Sequence, residues 1–210
     1  MDIESSNKML YFKHFNILAP IIKDESEASK WHFIASENIH SFNMGLNKNN
    51  DQRDVRWLKY HLQIRTYSAE NEKKGDSSLE YYLKRMEAIK NRDEQHLLSI
   101  KNHPSYKNDG IVSMGYGKVN KYPARIKDTH TKYRDTDKYS REYFFLTYSK
   151  TKKLKAYVIT ISVDIDKPNA DDPELLVNYS FEDMLKRSQR SLDSFIASDE
   201  DFPKDAPRYQ

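Results

Sequence analysis

AYVITISVDID, at residues 156–166, is the segment with the clearest strand pattern in the chain. Tyr157, Ile159 and Ile161 begin a series of apolar residues at every second position, and side chains at that spacing share one face of a β-strand. The preceding segment REYFFLTYS, at residues 141–149, is rich in aromatic residues and is typical of a second strand. Because only the basic link KTKKLK separates the two, we predict a β-hairpin whose second strand is central in a sheet.

The composition of the 210-residue chain indicates one folded domain with an aromatic-rich core. Mean hydropathy is low, at -0.93, but 15 Tyr, 9 Phe and 2 Trp supply large apolar surfaces for burial. The chain has no cysteine, which excludes disulfides, thiolate nucleophiles and cysteine-ligated metals. Since it also has no N-terminal apolar run and no apolar segment of membrane-spanning length, we expect a cytoplasmic protein that does not bind membranes.

The spacing of apolar residues predicts helices in four segments, at residues 7–22, 25–42, 77–100 and 180–198. For the first of them a strand is the alternative, because its aromatic content also suits a strand and Pro20 limits any helix. The third segment begins with Ser77 and Glu80 at the spacing of a capping box. The fourth begins with Ser180 and Asp183 at the same spacing, ahead of an apolar stripe. We therefore expect the last two helices to pack on the sheet through their apolar sides.

Two more segments have strand character. Residues 55–67 alternate between apolar and polar side chains, which predicts a strand with one face in water. Residues 110–126 suggest one edge or bulged strand interrupted by Gly115, Gly117 and Pro123, and residues 127–140 suggest a long polar loop. The order of elements predicts an α+β fold with a largely antiparallel sheet of about four strands and helices packed on it. Residues 1–198 would form this single domain, followed by a flexible acidic tail at residues 199–210.

Charge is segregated along the chain. Residues 118–155 carry 12 Lys and Arg against 4 acidic residues, whereas residues 156–210 carry 6 against 12. Cations interleaved with tyrosines combine phosphate neutralisation with rings on which bases can stack. The alternative is a solvated basic face that keeps the protein soluble. The predicted binding residues are Lys118, Lys121, Arg125, Lys127, Lys132, Tyr133, Arg134, Lys138, Tyr139, Arg141, Lys150, Lys152, Lys153 and Lys155.

Asp164 and Asp166 suggest a different function. Two carboxylates at i and i+2 point to one side of a strand and can collect Mg²⁺ or Mn²⁺ for phosphoryl transfer. The alternative is that the two residues only end a strand and open the turn at Pro168. The segment YVITISVDIDKPNA resembles the first catalytic motif of archaeo-eukaryotic-type primases and related plasmid replication proteins, a hydrophobic strand that ends in Asp-hydrophobic-Asp. The resemblance implies a metal-dependent nucleotidyl-transfer enzyme. In that family a histidine motif and another acidic residue follow downstream, whereas all seven histidines here precede Asp164.

The leading hypothesis from the sequence is a small non-enzymatic protein whose basic, tyrosine-rich region binds nucleic acid or an acidic partner protein without a cofactor. The metal-dependent enzyme is the alternative. A third possibility is an interaction or inhibitor module that uses the acidic C-terminal helix and tail, because the charge segregation fits that function equally well. The sequence leaves the oligomeric state open.

Overall fold

The computed structural model of the chain describes residues 2–3, 9–21, 31–36, 38–47, 57–68, 84, 87–88, 91–92, 95, 110–132, 136–148, 154–166, 180–197 and 208–209. The described part is mostly β-structure. Its elements in chain order are β1 (Asp2–Ile3), β2 (Leu10–Phe12), β3 (Phe15–Ile17), β4 (Trp31–Ala35), β5 (Ile39–Asn47), β6 (Trp57–Ser68), β7 (Ile111–Val119), β8 (Tyr122–Lys132), β9 (Thr136–Tyr148), β10 (Leu154–Asp166), α1 (Phe181–Ser194), β11 (Ile196–Ala197) and β12 (Arg208–Tyr209).

Eight strands form one antiparallel sheet, the large sheet, in the order β1-β4-β5-β6-β10-β9-β8-β7. The predicted hairpin is confirmed, because β9 and β10 pair antiparallel over their whole lengths. The predicted position of β10 inside the sheet is also confirmed, since β6 pairs along its other edge. The strand predicted at residues 55–67 corresponds to β6.

A second layer buries one face of the large sheet. This inner face carries Tyr157, Ile159 and Ile161 of β10, and all three are fully buried. The second layer is a small sheet of order β11-β3-β2-β12, together with α1. The Tyr157 hydroxyl joins the layers by donating a hydrogen bond to the carbonyl oxygen of His14, at 2.7 Å. The ring of Phe195 packs 5.2 Å from that of Tyr157, in a core that is rich in aromatic side chains, as the composition predicts.

Helix α1 forms where the sequence predicts a helix. The Ser180 hydroxyl accepts a hydrogen bond at 3.1 Å from the backbone N–H of Asp183, which caps the first turn. Leu192 of the predicted apolar stripe is buried and Leu185 packs partly buried against the core, so this side of α1 faces β10 of the large sheet as expected. The helix ends at Ser194, and the chain then continues into β11.

The predicted α+β fold with about four strands is wrong, because two helices predicted in the first 42 residues are hairpins. Residues 10–17 form β2 and β3 around the turn at Lys13 and His14. Residues 31–47 form β4 and β5, whose pairing ends where Ser36 N–H donates to the Ile39 carbonyl at 2.8 Å. A hairpin with a two-residue turn places apolar residues at mixed spacings that overlap a helical pattern, and burial against other strands decides between the two.

The single strand predicted at residues 110–126 and the loop predicted at residues 127–140 are also wrong. The chain turns at Asn120, which has a positive φ of 49°, and returns as β8. Strand β8 continues to Lys132, and β9 already begins at Thr136. Both faces of β8 are polar from residue 127 to residue 132, so this segment shows no alternation and has the composition of a loop.

Other predictions are tested only in part. The six described residues between 84 and 95 are helical and exposed, in agreement with the helix predicted at residues 77–100, whereas its predicted buried stripe lies outside the described residues. Residues 198–207 also lie outside them, and Arg208–Tyr209 pairs in parallel with β2, so the predicted flexible tail stays a prediction. Among the described helices, none combines the length and the apolar character that crossing a bilayer requires.

Candidate nucleic-acid interface

The second face of the large sheet, the outer face, carries Val158, Thr160, Ser162 and Asp164 of β10. Residues paired across antiparallel strands lie on the same face, so the strand register arranges the side chains of this face in rows. The first row, called the stacking row here, crosses six strands. Its members, in order from β7 to β5, are Tyr116, Arg125, Phe144, Val158, Arg65 and Ile39.

Arg125 is held rigidly in the stacking row. Its guanidinium carbon lies 5.2 Å from the centroid of the Phe144 ring, within the range of a cation–π contact. Its terminal nitrogen also donates to Glu142 Oε1 at 3.2 Å, and the ammonium of Lys127 lies 3.3 Å from the same oxygen. Because Glu142 is shared, one carboxylate positions two cations on the neighbouring strand. Tyr116 pairs with Arg125 from β7 and is 42% exposed.

The two rows on one side of the stacking row are mostly hydrophilic. Gln63 links the nearer of them to the stacking row, because its side-chain oxygen accepts from Arg65 Nε at 2.6 Å; within its own row its amide nitrogen donates to the Ser41 hydroxyl at 3.3 Å. In the next row the hydroxyls of Thr129 and Ser140 lie 2.6 Å apart. This part of the outer face therefore presents hydroxyl and amide groups that are already oriented by one another.

Asp164 lies further along the outer face, between two basic side chains. Its Oδ1 is 3.5 Å from Nζ of Lys138, and its Oδ2 is 3.7 Å from Nε2 of His61. The side chain of Asp166 lies outside the described residues, so the predicted use of both aspartates as metal ligands stays a prediction. Within the described ranges, no three His, Asp or Glu side chains are grouped so that they could hold a metal ion. In the structure Asp164 thus lies within ion-pair distance of Lys138 and close to His61.

The predicted basic surface is divided between the two faces of the large sheet. Lys118, Arg125, Lys127 and Lys138 lie on the outer face by their strand register. Members with the register of the inner face are Lys132, Tyr139, Arg141 and Lys155. Lys121 lies in the β7–β8 turn, with its ammonium 5.6 Å from the Tyr122 ring. The predicted residues that lie outside the described part are Tyr133, Arg134, Lys150, Lys152 and Lys153.

Arg141 belongs to a polar cluster on the inner face. It donates from Nε to Asp128 Oδ1 at 2.7 Å and from a terminal nitrogen to Asp128 Oδ2 at 2.8 Å. Burial opposes ionisation of Asp128, but the hydrogen bonds from Arg141 and Ser113 outweigh it and lower the pKa of this carboxyl. The hydrogen bond to Asp128 in turn raises the pKa of the Arg141 guanidinium. Arg141 therefore has a structural partner within the fold.

Tyr139 is engaged on the same face. The His130 ring stacks on it with centroids 4.0 Å apart, and the Phe181 ring lies 6.1 Å away on α1. Burial, together with the nearby charge of Asp137, raises the pKa of Tyr139. Since two rings already pack around it, Tyr139 does not resemble the exposed stacking platform that the sequence predicts.

Of the six residues in the stacking row, the sequence predicts only Arg125 as a binding residue, and the residues that it misses include Arg65 and Phe144. A usable signal exists for Arg65, because it lies on the polar side of the strand predicted at residues 55–67. Phe144 gives no such signal, since a large apolar residue in a strand is ordinarily assigned to the core.

Comparisons with known proteins give no family assignment. No protein-family model matches the chain, and no curated protein matches its sequence. The chain is similar to a crystal structure from Bacteroides thetaiotaomicron VPI-5482, with 14% sequence identity and a TM-score of 0.40. The match covers 89% of this chain and 46% of that chain, so this chain spans about half the length of that structure.

Proposed function

We propose that the outer face of the large sheet binds single-stranded nucleic acid. The observation that carries the proposal is the stacking row, in which an exposed tyrosine, an arginine and a phenylalanine lie on successive strands and a second arginine follows beyond Val158. Antiparallel sheet faces with exposed rings and cations are surfaces on which unpaired bases stack. Six strands at the usual spacing span about 24 Å, which is enough for several nucleotides.

The charge of the outer face supports an anionic ligand. The described carboxylates on this face are those of Glu142 and Asp164, and both are already paired with basic side chains. They are outnumbered by the described cations of this face, which are Arg65, Lys118, Arg125, Lys127 and Lys138. An excess of cations attracts phosphates through the release of condensed counterions, independently of sequence.

An unpaired strand fits the outer face better than a duplex does. A duplex hides the faces of its bases, so rings on a protein surface have nothing to stack on, whereas a single strand exposes them. The hydroxyl and amide rows beside the stacking row add hydrogen-bonding groups for sugars and base edges.

The proposal also places the protein in the cytoplasm, which the absence of cysteine favours.

The experiment compares fluorescence anisotropy of labelled single-stranded RNA, single-stranded DNA and duplex DNA across a salt series. We expect single strands to bind more tightly than duplex, with log affinity falling against log salt by about 0.7 for each phosphate contact. Arg125→Gln should weaken binding by about 1–3 kcal/mol, because it removes both a cation and a stacking plane. The matched control is Lys186→Gln on the exposed side of α1, which should leave binding unchanged.

Two results would contradict the proposal. One is the absence of measurable binding to any of the three nucleic acids at low salt, which would leave the outer face as a solvated surface or a site for an acidic protein. The other is equal weakening by Arg125→Gln and Lys186→Gln, which would show that binding depends on overall charge and not on this face.

A further inference from the structure

A depression of about 320 Å³ lies at one end of the stacking row. It is lined by Asn38, Ile39, Arg65, Thr66 and Tyr67. The depression forms because β6 continues to Ser68 whereas its neighbour β5 begins only at Ile39. The last link between them is the hydrogen bond from Thr66 N–H to the Asn38 carbonyl, at 3.0 Å.

Arg65 and Tyr67 form the two walls of this depression. They occupy positions i and i+2 of one strand, so their side chains leave the same face about 6.6 Å apart. That separation is roughly twice the van der Waals contact distance of about 3.5 Å, so a flat ring can enter between the two side chains. Arg65 is held by its hydrogen bond to Gln63, and Tyr67 is 47% exposed.

The surroundings leave room for such a ring. Across the sheet, Tyr67 pairs with Ala156 of β10, whose small side chain does not fill the space beside the tyrosine. On the β5 side, Ile39 pairs with Arg65 and is 40% exposed, which supplies an apolar edge. The volume is at the lower end of the range for small-molecule sites and suits one ring system better than a larger ligand.

Thr66 lies between Arg65 and Tyr67 on β6, and its side chain points to the opposite, inner face, where Thr66 pairs with the buried Tyr157. The side chains that a ligand on the outer face would meet are therefore those of Arg65, Tyr67 and Ile39.

We infer that this depression is a subsite for a single nucleobase, at the end of the strand bound along the stacking row. A nucleobase is flat, stacks on both a guanidinium and a tyrosine ring, and carries hydrogen-bonding atoms at its edge. The inference rests on the proposed function, because Arg65 is shared by the stacking row and the depression.

The test uses the full chain and the mononucleotides AMP and UMP, with binding followed by isothermal titration and by saturation-transfer NMR. We expect saturable binding that Tyr67→Ala weakens at least about fivefold, the lower end of the effect of removing one stacked ring. Tyr67→Trp should retain it, because a larger ring still stacks.

The control is Tyr116→Ala, at the opposite end of the stacking row and similar to Tyr67 in exposure. It should weaken binding of a single-stranded oligonucleotide while leaving mononucleotide affinity unchanged. If the oligonucleotide binds but neither mononucleotide does, the inferred subsite is wrong and the proposed function stands. The same conclusion follows if Tyr67→Ala and Tyr116→Ala weaken the binding of AMP equally. If AMP binds through Tyr67 but the oligonucleotide does not bind, the proposed function is wrong and the subsite stands.

Discussion

The guanidinium of Arg141 donates hydrogen bonds to both carboxylate oxygens of Asp128, at 2.7 and 2.8 Å, across neighbouring strands on the inner face of the large sheet. Two parallel hydrogen bonds between ionised groups are stronger than neutral ones and fix the relative position of the strands that carry them. The Ser113 hydroxyl adds a third hydrogen bond to Asp128 from β7, at 2.9 Å. This pair therefore locks the register of β7, β8 and β9.

The first prediction concerns the ionisation of Asp128. Its pKa is lowered in the folded state, so its contribution to stability is present above its unfolded pKa near 3.8 and is lost as pH falls through the folded value. Asp128→Asn should cost about 1–3 kcal/mol near pH 7, and this deficit should shrink below about pH 4. Urea unfolding of the parent and the variant at several pH values measures this difference in the free energy of unfolding. Asp193→Asn on the exposed side of α1 is the control and should cost less than about 0.5 kcal/mol.

The second prediction concerns His40, which is buried among the rings of Phe12, Phe15 and Phe33. Burial, with a smaller effect from His14, lowers the pKa of His40 from 6.5 to about 4. Between these two values His40 is protonated in the unfolded chain and neutral in the folded chain. The free energy of unfolding therefore falls as pH drops from 6.5 towards 4. The loss should approach about 3 kcal/mol. His40→Leu should flatten this part of the pH curve, and parallel curves for parent and variant would contradict the assignment.

The third prediction tests the link between the two layers. Tyr157→Phe keeps the ring but leaves the His14 carbonyl without the hydroxyl that donates to it. Because the site is buried, we expect a loss of about 1–3 kcal/mol in the free energy of unfolding. Tyr116→Phe, on the exposed side of β7, should change it by less than about 0.5 kcal/mol. Equal effects of the two substitutions would show that the interlayer hydrogen bond contributes nothing.

The fourth prediction compares two glycines of β7. A Cβ added at Gly115 would meet no atom within 4 Å, so Gly115→Ala should stabilise the protein by about 0.5–1 kcal/mol through the lower entropy of the unfolded chain. A Cβ at Gly117 would lie 2.7 Å from Cδ1 of Ile126. That methyl group would have to move, so the variant Gly117→Ala should be less stable than the variant Gly115→Ala. Thermal melting measures both, and the reverse order would contradict the packing of Ile126.

The sequence predicts those elements that its local patterns specify. The long alternation in β10 and the polar side of β6 reflect real burial, and the cap at Ser180 reflects a hydrogen bond that the structure contains. The short strands β2 and β3 were missed because three residues are too few to show a period. Their identity depends on burial against other parts of the chain, which no local pattern encodes.

The candidate site was predicted only in part, because adjacent residues of a strand point to opposite faces. Lys127 contributes to the outer face and Asp128 to the inner cluster, and Lys138 and Tyr139 are separated in the same way. Counting charges along a segment assigns all of them to one surface. Only the strand register brings Arg65 into line with Arg125, and register depends on contacts between distant segments.

Strands β6 and β10 are hydrogen-bonded neighbours although about 90 residues or more separate them along the chain. On each side of this pair, β4 to β6 and β7 to β10 are joined to their sequence neighbours by local hairpin pairing, which forms within microseconds. Joining the two halves requires closure of a long loop before any contact compensates for the lost chain entropy. We therefore expect folding in milliseconds to seconds, with the seam between β6 and β10 as its slow step.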